Sequence, residues 1–178
     1  MTVQGIPATA LAGAIHSPAG AAKQAVDNRY QANAFFIACP EGWTDNTVYT
    51  LTGPVTDGIQ HNVTITLARD LPFTSVREFA EWQIRTTEQE LRSCKLLKKG
   101  AANLANGLPA YQAIFVWYPT EGLKIYQEQI FVLSEGTAFV LTATFSKKSR
   151  KTLGAQVERM MLSFEPQKSK MKAQVPPR

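Results

Sequence analysis

The sequence has few of the residues that build metal sites and nucleophilic centres. Its 178 residues include two cysteines and two histidines, at Cys39, Cys94, His16 and His61, and their spacing fits no structural zinc site. The eleven glycines stand singly among turns, so the sequence has no glycine-rich phosphate loop. It also shows no nucleophile next to a base. We therefore expect no metal, no cofactor and no enzymatic activity.

A strong charge of one sign is also missing from the central part of the chain. The formal net charge is +5, but residues 29–164 contain 14 Lys plus Arg against 12 Asp plus Glu. Most of the excess lies after residue 164, where four basic residues accompany a single acid. Nucleic-acid binding needs a basic patch on the folded surface. The nearly neutral body therefore predicts no nucleic-acid partner.

Long apolar runs are absent as well. The stretch from Ile6 to Ile15 is weakly apolar, is interrupted by Pro7 and Gly13, and follows no basic residue. A secretory signal needs a basic start, and a membrane-spanning helix needs about 20 apolar residues. We therefore expect a cytoplasmic protein with no direct membrane insertion, in which the cysteines are reduced.

What the sequence does contain is the composition of a folded domain. Apolar residues make up 44% and charged residues 19%, which excludes a disordered chain or a small disulfide scaffold. Residues 1–28 are rich in Ala, Gly and Pro, whereas residues 166–178 are basic. The sequence thus predicts one domain over residues 29–165, between a flexible leader and a flexible basic tail.

Periodicity predicts strands and two helices within that domain. Ser75 followed by Glu78 predicts a capped start for the first helix, and the segment 95–104 has no regular pattern. The predicted strands cover part of 30–39, then 47–52, 59–67, 110–118, 124–133 and 137–145, and the predicted helices cover 76–94 and 149–162. This order predicts an α+β fold, in which an antiparallel sheet is flanked by helices.

His61, Glu121, Glu128 and Glu135 are the titratable residues to consider for chemistry. His61 lies on the apolar side of a predicted strand, where a hydrogen-bonded structural histidine is more common than a catalytic base. The three glutamates are seven residues apart, but turns separate them, so the spacing does not bring them together. We expect them to be solvated carboxylates.

The late strands are apolar on both faces, which a sheet buried on one side would not show. One explanation is a three-layer sandwich in which each helix covers one face. The other is that two helices of roughly 20 to 30 Å leave part of a sheet of about six strands uncovered, and such open apolar surface indicates a partner.

On the second explanation, we predict a homodimer and a groove that binds an apolar client. Glutamines at apolar positions support the groove, because an unmatched buried amide costs about 1 to 3 kcal/mol and a client backbone would satisfy it. The predicted client-binding residues are Tyr49, Leu51, Val63, Ile65, Gln83, Ile125, Gln127, Gln129 and Phe131.

Several segments together resemble a known family. They are the segment Phe36-Ile37-Ala38-Cys39-Pro40-Glu41-Gly42-Trp43-Thr44-Asp45, the strand 62–69, the helix with Phe79 and Gln83, and the strand 139–145 before the last helix. The chain resembles the DcrB-like proteins, and within them the Eag chaperones of type VI secretion systems. The resemblance covers roughly residues 30–166, and the long leader departs from it.

The resemblance implies a fold similar to PsbP and a symmetric dimer. It also implies a function, which is to bind the N-terminal transmembrane region of a secreted effector in the cytoplasm. The chaperone would shield those helices until the effector is loaded onto the secretion spike. Two alternatives remain, namely a DcrB-like envelope protein with another role and a carrier of a small apolar ligand.

Overall fold

The fold is known from a computed structural model that describes residues 29–31, 36–38, 40, 42–43, 45–56, 59–69 and 71–167. The predicted leader, residues 1–28, and most of the predicted tail, residues 168–178, lie outside the described residues. The elements are β1 (Arg29–Gln31), β2 (Phe36–Ala38), β3 (Val48–Thr56), β4 (Ile59–Arg69), α1 (Val76–Glu90), β5 (Lys95–Asn103), β6 (Pro109–Thr120), β7 (Leu123–Ser134), β8 (Thr137–Phe145) and α2 (Lys147–Leu162).

Six of the strands form one antiparallel sheet in the order β3-β4-β8-β7-β6-β5. The predicted hairpin of β3 with β4 and the predicted meander of β6, β7 and β8 are both present. Gly122 and Gly136, in the two meander turns, have φ of 78° and 74°, a backbone conformation that favours glycine. The α+β class with a helix-flanked antiparallel sheet is therefore confirmed.

Each helix covers one face of this sheet, so the domain has three layers. Helix α1 lies against β5, β6 and β7, and helix α2 lies against β7 and β8. The α1 core contains Phe79, Ala80, Ile84, Tyr111, Ala113, Phe115, Phe131, Ala138 and Val140. The α2 core contains Val63, Leu104, Ala110, Ile130, Val132, Leu141, Ala143, Phe145 and Met161. Two cores explain why the late strands are apolar on both faces.

The strand boundaries differ from prediction in three places. The region 30–39 holds two short paired strands, β1 and β2, in place of one. Strand β3 continues through Gly53 and Pro54, with a shift of register between Thr52 and Val55. Proline is tolerated there because β3 is an edge strand.

The third difference is β5, which occupies most of the segment predicted to be irregular. Its sequence KLLKKGAAN places Lys95, Lys98 and Lys99 on an edge strand, and these lysines obscure the apolar alternation. Lysine is common on sheet edges because its charge opposes pairing with another chain. The strand is therefore a protected edge.

Helix α1 begins at its predicted cap but ends early, whereas α2 begins two residues before its predicted start and ends where predicted. Ser75 Oγ accepts a hydrogen bond from the Glu78 N–H at 3.2 Å, and α1 then ends at Glu90, four residues earlier than predicted. Leu91 adopts an extended conformation and stops the helix. Helix α2 begins at Lys147 with a reciprocal capping box between Ser146 and Ser149.

Candidate functional site

Helix α2 divides its face of the sheet into two unlike regions. Leu153, Val157 and Met161 pack the helix onto the core formed by β7 and β8. On one side lie β4 and the edge strand β3, and on the other lie β5 and β6. The first region is apolar, and the second is a charged groove.

The first region, which we call the apolar edge, consists of Tyr49, Leu51, Val63 and Ile65. Tyr49 is paired with Ile65 and Leu51 with Val63, so all four side chains lie on the α2 face. Val63 is buried in the α2 core, whereas Tyr49 is 48% and Leu51 50% exposed. The apolar core thus continues to the solvent along these two strands.

The opposite face of β3 and β4 is mostly polar. The register places Thr50, Thr52, Asn62, Thr64 and Thr66 there, together with Val48 and, beyond the register shift, Val55, which is 63% exposed. The α2 face differs because its exposed apolar side chains, Tyr49 and Leu51, are continuous with the buried core.

The two edges of the sheet also differ. Strand β3 has the sequence VYTLTGPVT without a charged residue, whereas β5 carries three lysines. Within the part of the chain that the structure describes, β4 is the only strand that pairs with β3. An uncharged edge strand offers unpaired N–H and C=O groups to a further strand.

The predicted client-binding residues lie on two faces of the sheet, so the prediction that they share one groove is wrong. Tyr49, Leu51, Val63 and Ile65 share the α2 face, but the other five predicted residues belong to the α1 side. These five are all buried, and they are Gln83, Ile125, Gln127, Gln129 and Phe131. Gln83 belongs to α1 itself, and the four β7 residues face the α1 layer, because alternate residues of β7 face opposite layers.

Buried polar atoms nevertheless cluster beneath α1, as the glutamines suggested. Gln129 donates a long hydrogen bond to Thr142 Oγ1 at 3.4 Å. The Oε1 atoms of Gln127 and Gln129, Thr87 Oγ1 and Trp117 Nε1 are buried without a partner among the described residues. Client binding by this glutamine cluster remains a prediction, and it requires α1 to move.

His61 is a buried residue of the α2 face, with 5% of its surface exposed. Its ring lies 6.4 Å from the Phe145 ring, measured between centroids. Neither ring nitrogen has a hydrogen-bond partner within the described chain, so the prediction of a hydrogen-bonded histidine is wrong. Its burial favours packing over a catalytic role.

The charged groove lies between the first turns of α2 and strands β5, β6 and β7, and its volume is about 510 Å³. Sequence reasoning missed this site because its members are far apart in the chain. Its charged side chains are Lys98, Glu128, Lys147, Arg150, Lys151 and Glu158. Ile114 and Tyr126 add apolar walls.

Glu128 and Glu158 are linked in this groove by one amide. Gln112 Nε2 donates hydrogen bonds to Glu128 Oε1 at 2.6 Å and to Glu158 Oε1 at 3.0 Å. Glu128 is only 5% exposed, so the prediction that it is solvated is wrong. Burial raises its pKa, and neighbouring Glu158 adds to the effect. In the sequence, the position of Glu128 between Tyr126 and Ile130 on an apolar strand face was the signal of its burial.

The described residues offer little for metal or thiol chemistry. Over the described ranges, no group of three His, Cys, Asp or Glu could hold a metal ion. Burial raises the pKa of Cys94 to about 11, so its thiol is a poor nucleophile at neutral pH. Within those same ranges, no helix is long and apolar enough to cross a membrane.

Comparison with known proteins gives one family. The model of the DcrB family matches residues 36–163, which include both core clusters and the charged groove. No curated protein sequence matches the chain.

The solved structures that are similar to this chain include the following two. PA94 from Pseudomonas aeruginosa, described as a protein of unknown function and a candidate regulator, has a TM-score of 0.64 at 17% identity, over 79% of this chain and 97% of its own. At this identity the likeness shows a shared fold. The PsbP protein CyanoP of Synechocystis sp. PCC 6803 has a TM-score of 0.48 at 11% identity, over 86% of this chain and 99% of its own.

Proposed function

The chain belongs to the DcrB family, and we propose that it is a cytoplasmic adaptor chaperone of a type VI secretion system. Its client would be a secreted effector, whose N-terminal transmembrane helices it would shield before loading onto the spike. The proposal includes no enzymatic activity and no nucleic-acid partner. The observation that carries it is the apolar edge, where Tyr49 and Leu51 are about half exposed beside a continuous core.

The size of the hydrophobic effect supports this role. A transmembrane helix of about 20 residues exposes a large apolar surface in water. Covering about 500 Å² of it would contribute roughly 12 kcal/mol before the cost of ordering both partners. The apolar edge of one chain is small for this purpose, because it comprises two strands.

A homodimer formed through β3 would enlarge the surface. Two antiparallel β3 strands, related by a two-fold axis perpendicular to the sheet, would place both α2 faces on the same side. Four neighbouring strands would then span about 19 Å, since strands lie about 4.8 Å apart. A helix is about 10 Å wide, so this floor, with an α2 helix along each side, would accept one or two helices.

The charged groove bears on the alternative of a small apolar-ligand carrier. Such a carrier needs an enclosed apolar cavity. The groove has a suitable volume, about 510 Å³, but six charged side chains line it. The exposed apolar edge therefore fits a helical client better than the groove fits an apolar ligand.

The test is co-expression with an effector fragment that contains its transmembrane helices. Leu51→Lys places a charge in the apolar edge, so the soluble complex should be lost while the thermal midpoint of the chaperone stays unchanged. Leu97→Lys is the matched control, because Leu97 is 46% exposed on the opposite edge strand. We expect this variant to bind normally. Equal binding by both variants would show that the client lies elsewhere.

A further inference from the structure

Among the residues that the structure describes, the basic side chains that line the charged groove are not ion-paired with its carboxylates. Lys98, Lys147, Arg150 and Lys151 line it, yet within the described chain none of these four forms an ion pair with a carboxylate within 4.0 Å. Four bases against two acids, Glu128 and Glu158, give the lining a net charge of +2. Both sets line the same volume, so a ligand in the groove would meet both.

The position of the bases in the fold is unfavourable without an anion. The first turn of α2 contains no acidic residue, whereas Lys147 and Arg150 lie within it or next to it. The N-terminus of a helix carries the positive end of its dipole, so nearby cations are destabilising there. Arg150 also lies 5.3 Å from the centre of the Tyr126 ring, which holds it over the groove wall.

The acidic floor of the groove, formed by Glu128 and Glu158, is held in position by burial and hydrogen bonds. Only 5% of Glu128 is exposed. The Gln112 amide nitrogen donates one hydrogen bond to Glu128 and one to Glu158. One amide donor leaves the remaining carboxylate oxygens free to accept hydrogen bonds. An ammonium group would satisfy two carboxylates at once.

We propose that this groove binds a small anion that also bears a primary amine. The ammonium group would contact Glu128 and Glu158, and the carboxylate or phosphate would contact the basic residues of α2 and Lys98. A net charge of about −1 on the ligand would complement the groove, and its volume is typical of small-molecule sites. The site is separate from the apolar edge and does not depend on the chaperone role.

Calorimetric titration of the full chain with paired probes tests this. L-Glutamate and O-phosphoethanolamine carry both groups, whereas succinate, inorganic phosphate and ethanolamine each lack one. We expect at least tenfold tighter binding of a two-group probe than of its one-group counterparts. The comparison of glutamate with phosphoethanolamine decides whether the anionic part is a carboxylate or a phosphate.

Variants locate the binding in the groove. Glu128→Gln and Lys151→Ala should each weaken the better probe at least tenfold. Arg159→Ala is the control, because Arg159 is an exposed base in the last turn of the same helix, outside the groove, and should bind as the wild type does.

Three outcomes would overturn the proposal. Succinate or phosphate binding as tightly as the amine-bearing probes would indicate a simple cationic patch. Unchanged affinity of Glu128→Gln, with an intact thermal melt, would show that the acidic residues do not take part in binding. Absence of binding by every probe at millimolar concentration would exclude this class of ligand.

Discussion

Glu81 of α1 accepts a hydrogen bond from Lys99 Nζ of the edge strand β5, and so ties the helix to the end of the sheet. Tyr111 donates a second bond to Glu81 from the neighbouring strand β6, at 3.0 Å. The hydrogen bond from Lys99 lowers the pKa of Glu81 below 4.5. Burial, followed by the bond to Glu81, raises the pKa of Tyr111.

Replacement of Glu81 by Gln should lower stability at neutral pH. A lowered carboxyl pKa contributes stability above the unfolded value, 4.5, and this stability is lost as pH falls through the folded pKa. We expect a loss of up to about 1 kcal/mol, because the ion pair is partly exposed. Urea melts in a pH series should show the difference from wild type disappear in acid.

Glu88 provides the control for this change. It lies on the same helix and is exposed. Glu88→Gln should therefore have little effect at any pH. A Glu81→Gln variant whose deficit persists at low pH would show that the charge of Glu81 is not what stabilises the contact.

Replacement of Glu128 by Gln should, in contrast to the change at Glu81, raise stability at neutral pH. Burial raises the folded pKa of Glu128 above 4.5, so its charged form is penalised in the native state. The penalty is full above the folded pKa and disappears as pH falls toward 4.5. Thermal melts should show that Glu128→Gln is more stable than wild type at neutral pH, with the gain shrinking on acidification.

A gain that does not depend on pH would contradict this reasoning. The substitution keeps an acceptor for Gln112, which donates to Glu128 at 2.6 Å. Loss of the hydrogen bond is therefore not expected to mask the result.

Replacement of Gln127 by Leu should stabilise the protein. Gln127 is 3% exposed, and its Oε1 has no partner among the described residues. Removal of an unsatisfied buried acceptor should contribute about 1 kcal/mol, which raises the melting temperature by roughly 2 to 4 °C in a chain of this size. Differential scanning calorimetry measures this shift.

The matched change at Gln112 should destabilise the protein. Gln112 donates to both Glu128 and Glu158, so Gln112→Leu leaves a buried carboxylate without its donor. Destabilisation by Gln127→Leu would instead indicate that the amide is satisfied, for example by an ordered water.

The order of strands and helices follows from periodicity because each element repeats a local pattern. Alternation along β7 places Gln127 and Ile130 on opposite faces, and this was visible in the sequence. Which helix covers which face was not visible, because it depends on the crossover of α1 from β4 to the far edge of the sheet. The glutamines were therefore assigned to the same groove as Leu51, although they lie on the other side.

The charged groove could be predicted from the sequence even less than the position of the glutamines. Lys98, Glu128 and Lys151 come from three elements that only the tertiary fold brings together. Lys98 and Lys151 look like ordinary surface charges in the sequence, and only the position of Glu128 inside an apolar strand separates it from Glu121 and Glu135 in the turns. Burial of Glu128 follows from α2, which packs over β7 and β8.

The last prediction is that the protein is a dimer at tens of micromolar and that β3 mediates the contact. Thr50 lies in the regularly paired first part of this uncharged edge strand, between Val48 and Thr52, and is exposed on the face opposite to Tyr49. In an antiparallel pair centred near Thr50, a lysine at this position would lie close to its symmetry mate, and like charges across a strand pair are destabilising. Sedimentation velocity should therefore show a dimer for wild type and Leu97→Lys, and a monomer for Thr50→Lys. A strict monomer for wild type, or an unchanged dimer for Thr50→Lys, would exclude the β3 interface, whereas client binding by a monomeric Thr50→Lys would show that one apolar edge is enough.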